Sequence, residues 1–194
     1  MKTKTYAFIT FLSIFHACLT SHAGEQDNWY FHEDWDGLSS SNYGPGQVAF
    51  EENASDGKNR IYVADMGNNK VQVYDLNGSK IFEITNLNRP MGVTIDKNGT
   101  IYCLYHHGIK SFDNNGTLIS TIAGSGSGNG QIKASQHTRV YYRDAQSALA
   151  IHPENGKLYA LDGGNNRVQV FDTNGSFSFK FGIYGTAPGQ FKNP

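Results

Sequence analysis

The chain has 194 residues and a formal net charge of −1, with 16 Lys and Arg against 17 Asp and Glu. This near-neutral balance gives no electrostatic footprint for binding nucleic acid or an anionic membrane. Because 13% of the residues are aromatic and only 17% are charged, the composition also argues against disorder. Together with 22 Gly, it is typical of short strands joined by tight turns.

Residues 1–23 are predicted to be a signal peptide. Lys2 and Lys4 precede an apolar run at 6–15 that is too short to span a bilayer, and Ser21-His22-Ala23 resembles a cleavage site. We expect cleavage after Ala23, a secreted or periplasmic location and no membrane span. Two alternatives stay open, namely an uncleaved anchor and lipidation of Cys18. After cleavage Cys103 is the remaining cysteine, and we interpret it as a small buried hydrophobe in a strand.

An internal repeat organises the rest of the chain. Residues 65–75 read DMGNNKVQVYD and residues 162–172 read DGGNNRVQVFD, which indicates a repeated unit. Each unit has up to four alternating runs, and the third run is followed by Asp, a variable residue, Asn and Gly. The predicted strands are 92–96 and 148–152 (first), 61–64, 101–104 and 158–161 (second), 71–74, 109–112 and 168–171 (third), and 80–84, 118–122 and 177–181 (fourth).

The Asn-Gly pairs between these runs predict hairpins, with type I′ turns that need a positive φ at both residues. A four-stranded antiparallel unit of about 40 residues is typical of a β-propeller blade. The predicted fold class is therefore all-β, a propeller with about three blades plus partial blades. Tyr62, Tyr102 and Tyr159 occupy the same place in each second strand, and we expect them in the core between blades.

The unit resembles the NHL repeat over residues 44–194. The resemblance rests on a Gly-Gln-Phe opening at 189–191, Val-x-Ile-Asp at 93–96, Tyr-Val-Ala-Asp at 62–65 and Asn-Asn-Arg-Val-Gln-Val-Phe at 165–171. It implies a propeller, usually six-bladed, and most often a binding role. The predicted divisions are an N-terminal segment 24–43 that forms the outer strand of a closing blade, blades 44–85, 86–126 and 127–185, and the start of another blade at 186–194. We expect a truncated propeller, the alternative being a short protein that closes by oligomerising.

The second blade departs from the repeat in two places. Tyr105-His106-His107-Gly108 replaces the Asp-x-Gly-Asn-Asn loop and shortens it by about two residues, and an insertion at 133–145 follows the same blade. Loops of these two kinds open onto one face of a propeller, and departures from a repeat concentrate at functional sites. The predicted binding residues are Tyr105, His106, His107, His137, Arg139, Tyr141, Tyr142 and Arg143. No catalytic residue and no metal ligand is predicted, because adjacent histidines do not have metal-ligand spacing.

Other polar motifs have structural interpretations. Asp65 and Asp162 either bind a cation or a polar ligand or cap their own loops, and the capping interpretation is favoured. Asn53, Asn77, Asn98, Asn115 and Asn174 each begin an Asn-x-Ser/Thr sequence. Turn chemistry already accounts for the last four, and glycosylation depends on the source.

Three functions are considered. The favoured one is a secreted scaffold that binds a protein, peptide or glycan and needs no cofactor. The alternative follows from a resemblance to NHL-like peptidyl-hydroxyglycine lyases, which are zinc enzymes: His106 or His107 with His137 would then bind the metal, with Tyr105 and Arg139 as catalytic groups, and zinc or calcium enters only here. RNA binding is disfavoured by the signal segment and the charge balance.

Overall fold

The computed structural model describes residues 45–52, 54, 56–133, 147–192 and 194, and these residues form three antiparallel sheets. Sheet 1 contains β1 (Val48–Glu51), β2 (Arg60–Asp65), β3 (Lys70–Tyr74) and β4 (Lys80–Ile84). Sheet 2 contains β5 (Gly92–Ile95), β6 (Ile101–Tyr105), β7 (Gly108–Phe112) and β8 (Leu118–Ser125), with the short β9 (Gln131–Ile132) parallel to β8. Sheet 3 contains β10 (Leu149–Ile151), β11 (Leu158–Asp162), a 3₁₀ turn (Gly163–Asn165), β12 (Arg167–Phe171) and β13 (Phe177–Phe181).

Each sheet is a meander in which consecutive strands are hydrogen-bonded neighbours. The architecture confirms the predicted all-β propeller of four-stranded antiparallel blades with partial blades. The predicted signal peptide and the segment 24–43 lie outside the described residues, as does nearly all of the insertion. Within the described residues, no helix is long and apolar enough to cross a membrane.

The Asn-Gly hairpins are present, but their turn type differs from the prediction. In the turn after β3, the Gly78 N–H donates to the Asp75 carbonyl, and the Asp75 carboxylate accepts from the N–H groups of Asn77 and Ser79. Gly78 has a φ of 80°, whereas Asn77 is not among the residues with positive φ. The turn is therefore a type I turn followed by a left-handed Gly, because the Asp side chain stabilises a right-handed Asn and only Gly enters the left-handed region.

Apolar residues fill the two spaces between neighbouring sheets. Tyr62 lies in the cluster between sheets 1 and 2, and Tyr102 lies in the cluster between sheets 2 and 3, both essentially unexposed. Tyr159 takes the equivalent position on the far side of sheet 3, where it is half-buried, so its place between two blades stays a prediction. The register is the same in the two sheets, since Val71 pairs with Ile84 in sheet 1 and Val168 pairs with Phe181 in sheet 3, but Ile84 is 3% exposed and Phe181 is 46% exposed. No described sheet covers that face of sheet 3.

The meander also defines two ends for every sheet. We call the end with the β2–β3, β6–β7 and β11–β12 loops the crossover end, because the links between successive sheets run there. Leu87 in such a link donates its N–H to the Asn69 carbonyl, and His106 donates its N–H to the Asn88 carbonyl. The opposite end, with the turns between first and second and between third and fourth strands, is the hairpin end. Arg60 Nη1 donates there to the carbonyl of Asn114, 2.9 Å away.

Candidate functional site

The candidate site begins at the turn between β6 and β7. Tyr105 pairs with Gly108, so that His106 and His107 form a two-residue turn. In sheet 1 the equivalent pair is Asp65 with Lys70, and in sheet 3 it is Asp162 with Arg167. The predicted shortening by two residues is confirmed. Neither histidine has a positive φ; the left-handed conformation falls on Gly108, with a φ of 138°.

The turn packs against the link between sheets 1 and 2. The Asn88 carbonyl accepts the His106 N–H at 2.9 Å, and Asn88 Nδ2 lies 3.3 Å from His107 Nε2. The rings of His106 and His107 meet edge to face, with centroids 4.8 Å apart, and Tyr105 meets His107 in the same way at 6.1 Å. We call the surface of Asn88, Tyr105, His106, His107 and Lys110 the imidazole rim.

Electrostatics at the imidazole rim favour a neutral His106. Burial lowers the pKa of His106, and the nearby His107 and Arg89 lower this pKa further. Burial raises the pKa of Tyr105, whose ring faces Lys110 Nζ at 5.0 Å from the centroid. A neutral imidazole has one donor and one acceptor nitrogen. The imidazole rim can therefore both donate and accept hydrogen bonds next to the aromatic ring of Tyr105, a combination that suits ligand binding.

Only part of the predicted site falls within the described residues. Tyr105, His106 and His107 lie together at the crossover end. The other predicted residues, His137, Arg139, Tyr141, Tyr142 and Arg143, lie outside the described residues, and their position at this rim stays a prediction. The described residues contain no group of three or more His, Cys, Asp and Glu side chains that could hold a metal ion.

The two longer loops use their aspartates to hold the chain. The buried Asp162 carboxylate accepts from Arg167 Nε at 2.7 Å, Gln169 Nε2 at 3.0 Å, Asn165 Nδ2 and the Lys133 N–H. These bonds occupy both carboxylate oxygens with donors from this chain, which supports the capping interpretation.

Asp65 has a simpler set of partners in sheet 1. Its carboxylate accepts from the Asn68 N–H, from Asn68 Nδ2 at 2.8 Å and from Gln72 Nε2 at 2.7 Å. Lys70, which takes the place of Arg167 in the repeat, pairs with Glu83 instead. Both aspartates therefore hold their loops, but only Asp162 neutralises a buried guanidinium.

Gln47, in the Gly-Gln pair before β1, has a structural role that the sequence did not predict. The Gln47 side chain donates from Nε2 to the Leu149 carbonyl at 2.7 Å and accepts the Leu149 N–H at 2.9 Å. This pair of bonds joins the segment before sheet 1 to the first strand of sheet 3. Gly-Gln recurs at 130–131 and 189–190, but Gln131 and Gln190 accept from the nearby N–H groups of Gly128 and Ala187, so no local signal marks the role of Gln47.

A cavity of about 320 Å³ lies at the hairpin end and was not predicted. It is lined by Phe50, Glu51, Glu52, Ile95, Asp96, Lys97, Asn98 and Gly99. Two of its carboxylates serve buried tyrosines: Glu51 accepts the Tyr62 hydroxyl at 2.5 Å, and Asp96 accepts the Tyr102 hydroxyl at 3.2 Å. Burial and Asp96 raise the pKa of Tyr102 to about 12. Because Glu51 and Asp96 already bond core tyrosines, the cavity has a structural explanation, and the imidazole rim remains the better candidate site.

Cys103 is predicted to be chemically inert in the folded chain. Its side chain is unexposed, and burial raises the pKa of its thiol, so the reactive thiolate is both scarce and inaccessible. We expect iodoacetamide at pH 8 to leave the Cys103 peptide unmodified in native buffer and to alkylate it fully in urea. Peptide mass spectrometry measures this, and Cys18, if still present, gives a separate peptide. Rapid native alkylation of Cys103 would contradict a core role.

Comparison with known proteins supports the fold alone. No protein-family model and no curated protein sequence matches this chain. Among solved structures, hydrazine synthase from Kuenenia stuttgartiensis is similar with a TM-score of 0.53 and 12% identity, over 82% of this chain and 40% of that one. A streptogramin B lyase is similar with a TM-score of 0.51 and 14% identity, over 81% of this chain and 45% of that one. The chain thus spans less than half the length of either protein, and the shared class is the β-propeller.

Proposed function

We propose that this chain is an exported NHL-repeat β-propeller that acts as a binding scaffold. Its ligand is a protein, a peptide or a glycan, and the ligand contacts the imidazole rim at the crossover end. The observation that carries the proposal is the two-residue turn of sheet 2, which presents His106 and His107. The equivalent loops of the other two sheets are longer, and their aspartates are hydrogen-bonded to groups of this chain. The predicted residues of the insertion, from His137 to Arg143, extend the same surface under this proposal.

The chemistry of the rim supports binding in preference to catalysis. Exposed His107 and half-buried His106 and Tyr105 supply rings and hydrogen-bonding groups on a rigid sheet, and loops on rigid scaffolds commonly carry binding. The zinc-lyase alternative requires His137, which lies outside the described residues, and no observation on the described residues favours it. The proposal therefore includes no cofactor, no nucleic acid and no membrane span.

The proposal predicts that replacing both histidines weakens ligand binding. We expect the fluorescently labelled chain to bind members of a peptide and glycan array, and His106→Ala with His107→Ala to reduce affinity at least tenfold. A tenfold loss corresponds to about 1.4 kcal/mol, which matches the loss of about one hydrogen bond to the ligand. Array binding followed by calorimetry on the bound components measures the effect.

The matched control changes two exposed turn residues at the hairpin end. Lys97→Ala with Glu154→Ala alters as many turn side chains, both of them exposed, and it should leave affinity unchanged. Circular dichroism establishes that both double variants fold. The proposal is wrong if the array shows no ligand, or if the histidine variant and the control bind equally well.

A further inference from the structure

The Asn-x-Ser/Thr sequences of the described residues gather at one end of the molecule. Asn77, Asn115 and Asn174 lie in the turns between third and fourth strands, and Asn98 lies in the turn between β5 and β6. All four turns are at the hairpin end. The fifth sequence, at Asn53, lies outside the described residues. The described part of the crossover end carries no such sequence.

Contacts show that three of these turns, those of Asn98, Asn115 and Asn174, are neighbours. A Cβ placed on Gly99 would lie 3.5 Å from the Asn114 Cβ, which brings the Asn98 turn beside the Asn115 turn. The Tyr102 hydroxyl, which bonds Asp96 in the first of these turns, is also near enough to the Thr173 side chain for Thr173 to lower the pKa of Tyr102. The Asn174 turn of sheet 3 is therefore a neighbour of the two turns of sheet 2.

The four asparagine side chains are exposed and their amide nitrogens are uncommitted. Each turn is held by other groups, namely the N–H of the following Gly and the preceding Asp. Within the described part of the chain, the Nδ2 atoms of Asn77, Asn98, Asn115 and Asn174 have no hydrogen bond; only Asn174 Oδ1 is used, as acceptor of the Ser176 N–H. A substituent on Nδ2 would thus point to solvent without breaking the turn.

A fifth Asn-Gly turn provides an internal comparison. Asn155-Gly156-Lys157 lies in a turn that is one residue longer than the other four, in which the His152 carbonyl accepts the Gly156 N–H and His152 Nδ1 accepts the Glu154 N–H. Lys157 stands where the other four turns have Ser or Thr. An Asn-Gly hairpin of this chain therefore forms with Lys in place of Ser or Thr.

We propose that Asn77, Asn98, Asn115 and Asn174 are N-glycan acceptors. Glycans at these four positions cover the hairpin end and leave the crossover end, with the imidazole rim, free for its ligand. In the modification, Asn Nδ2 attacks the anomeric carbon of a pyrophosphate-activated oligosaccharide. The new N–C bond forms as the C–O bond to phosphate breaks, the pyrophosphate leaves with the bonding electrons, and one Nδ2 proton is lost to a base. N-x-Ser/Thr acceptors of this kind occur on the surface of exported proteins.

The proposal rests on export, which is part of the proposed function, and one experiment separates the two. The protein is purified from its own source and digested, and intact glycopeptides are sequenced by mass spectrometry. An N-terminus at Gly24 establishes export independently of any sugar. Intact sugar masses are recorded because Asn-Gly deamidation would mimic enzymatic release of a glycan.

The expected result is sugar on at least two of the four asparagines and none on Asn155. Ser79→Ala, expressed in the same source, should abolish sugar at Asn77 and leave unfolding unchanged, because the Ser79 N–H and not its hydroxyl bonds Asp75. Unmodified peptides at three or more of the four positions overturn the glycan proposal, even where cleavage before Gly24 shows export to be correct. Sugar on Asn155 also overturns it, because the modification would then not follow the Ser/Thr pattern.

Discussion

Gly108→Ala is expected to lower the free energy of unfolding by about 3–5 kcal/mol, within the range of severe single substitutions. A Cβ at this position would lie 1.9 Å from the carbonyl oxygen of Ala123 in β8, and this backbone atom has little room to move. The φ of 138° adds strain for any residue other than Gly. Urea unfolding followed by tryptophan or tyrosine fluorescence measures the change.

Gly156→Ala is the matched control for this prediction. Gly156 also has a positive φ, of 67°, but nothing lies within 4 Å of a Cβ built there. We expect a cost of about 1–2 kcal/mol from the left-handed conformation alone. If the two substitutions cost the same, the close approach of β8 is not what requires Gly108. Because the same residue sets the two-residue turn, Gly108→Ala should also weaken ligand binding at the imidazole rim in protein that remains folded.

Asp162→Ala is expected to destabilise the chain by about 3–5 kcal/mol, because removing one member of a buried ion pair leaves the other charge uncompensated. Asp162 is unexposed and Arg167 is 6% exposed. Arg167 also donates to the carbonyls of Gly128 and Gln131, so it cannot leave without breaking the link into sheet 3. Urea unfolding at neutral pH measures the loss.

Asp65→Ala serves as the comparison, since the Asp65 carboxylate accepts from the neutral amides of Asn68 and Gln72. Its loss should cost about 1–3 kcal/mol, the penalty of leaving neutral donors unsatisfied. The double variant Asp162→Ala with Arg167→Met should recover part of the stability lost in Asp162→Ala, because the uncompensated guanidinium is gone. Equal costs for the two aspartates, together with no recovery in the double variant, would contradict a charge-based role for Asp162.

Local patterns predicted most of the fold correctly. The alternating runs and Asn-Gly pairs identified the strands because each hairpin depends on neighbouring residues only. The shortened loop at His106 and His107 was also predictable, because the other units of the repeat show the usual length of this loop. The turn type was wrong at Asn77 because the Asp75 carboxylate bonds the backbone and leaves only Gly78 left-handed.

Contacts between distant residues were not predictable from those patterns. The burial of Tyr159 depends on whether another sheet covers sheet 3, and no local signal reports that. The hydrogen bonds between the Gln47 side chain and the Leu149 backbone join residues 102 positions apart. The cavity beside Glu51 and Asp96 depends on how sheets 1 and 2 meet.

The sequence by itself determined the repeating β unit, its turns and the one loop that departs from the repeat, since these depend on side-chain alternation and on short-range turn chemistry. Only the tertiary structure decided that His106 and His107 pack against Asn88 of the neighbouring link, that β8 passes against Gly108, and that the Asn-x-Ser/Thr turns share one end. These features arise from the packing of sheet on sheet. Two sheets pack together because they bury apolar area. This driving force is non-directional, so short sequence patterns do not show which residues of the two sheets will meet.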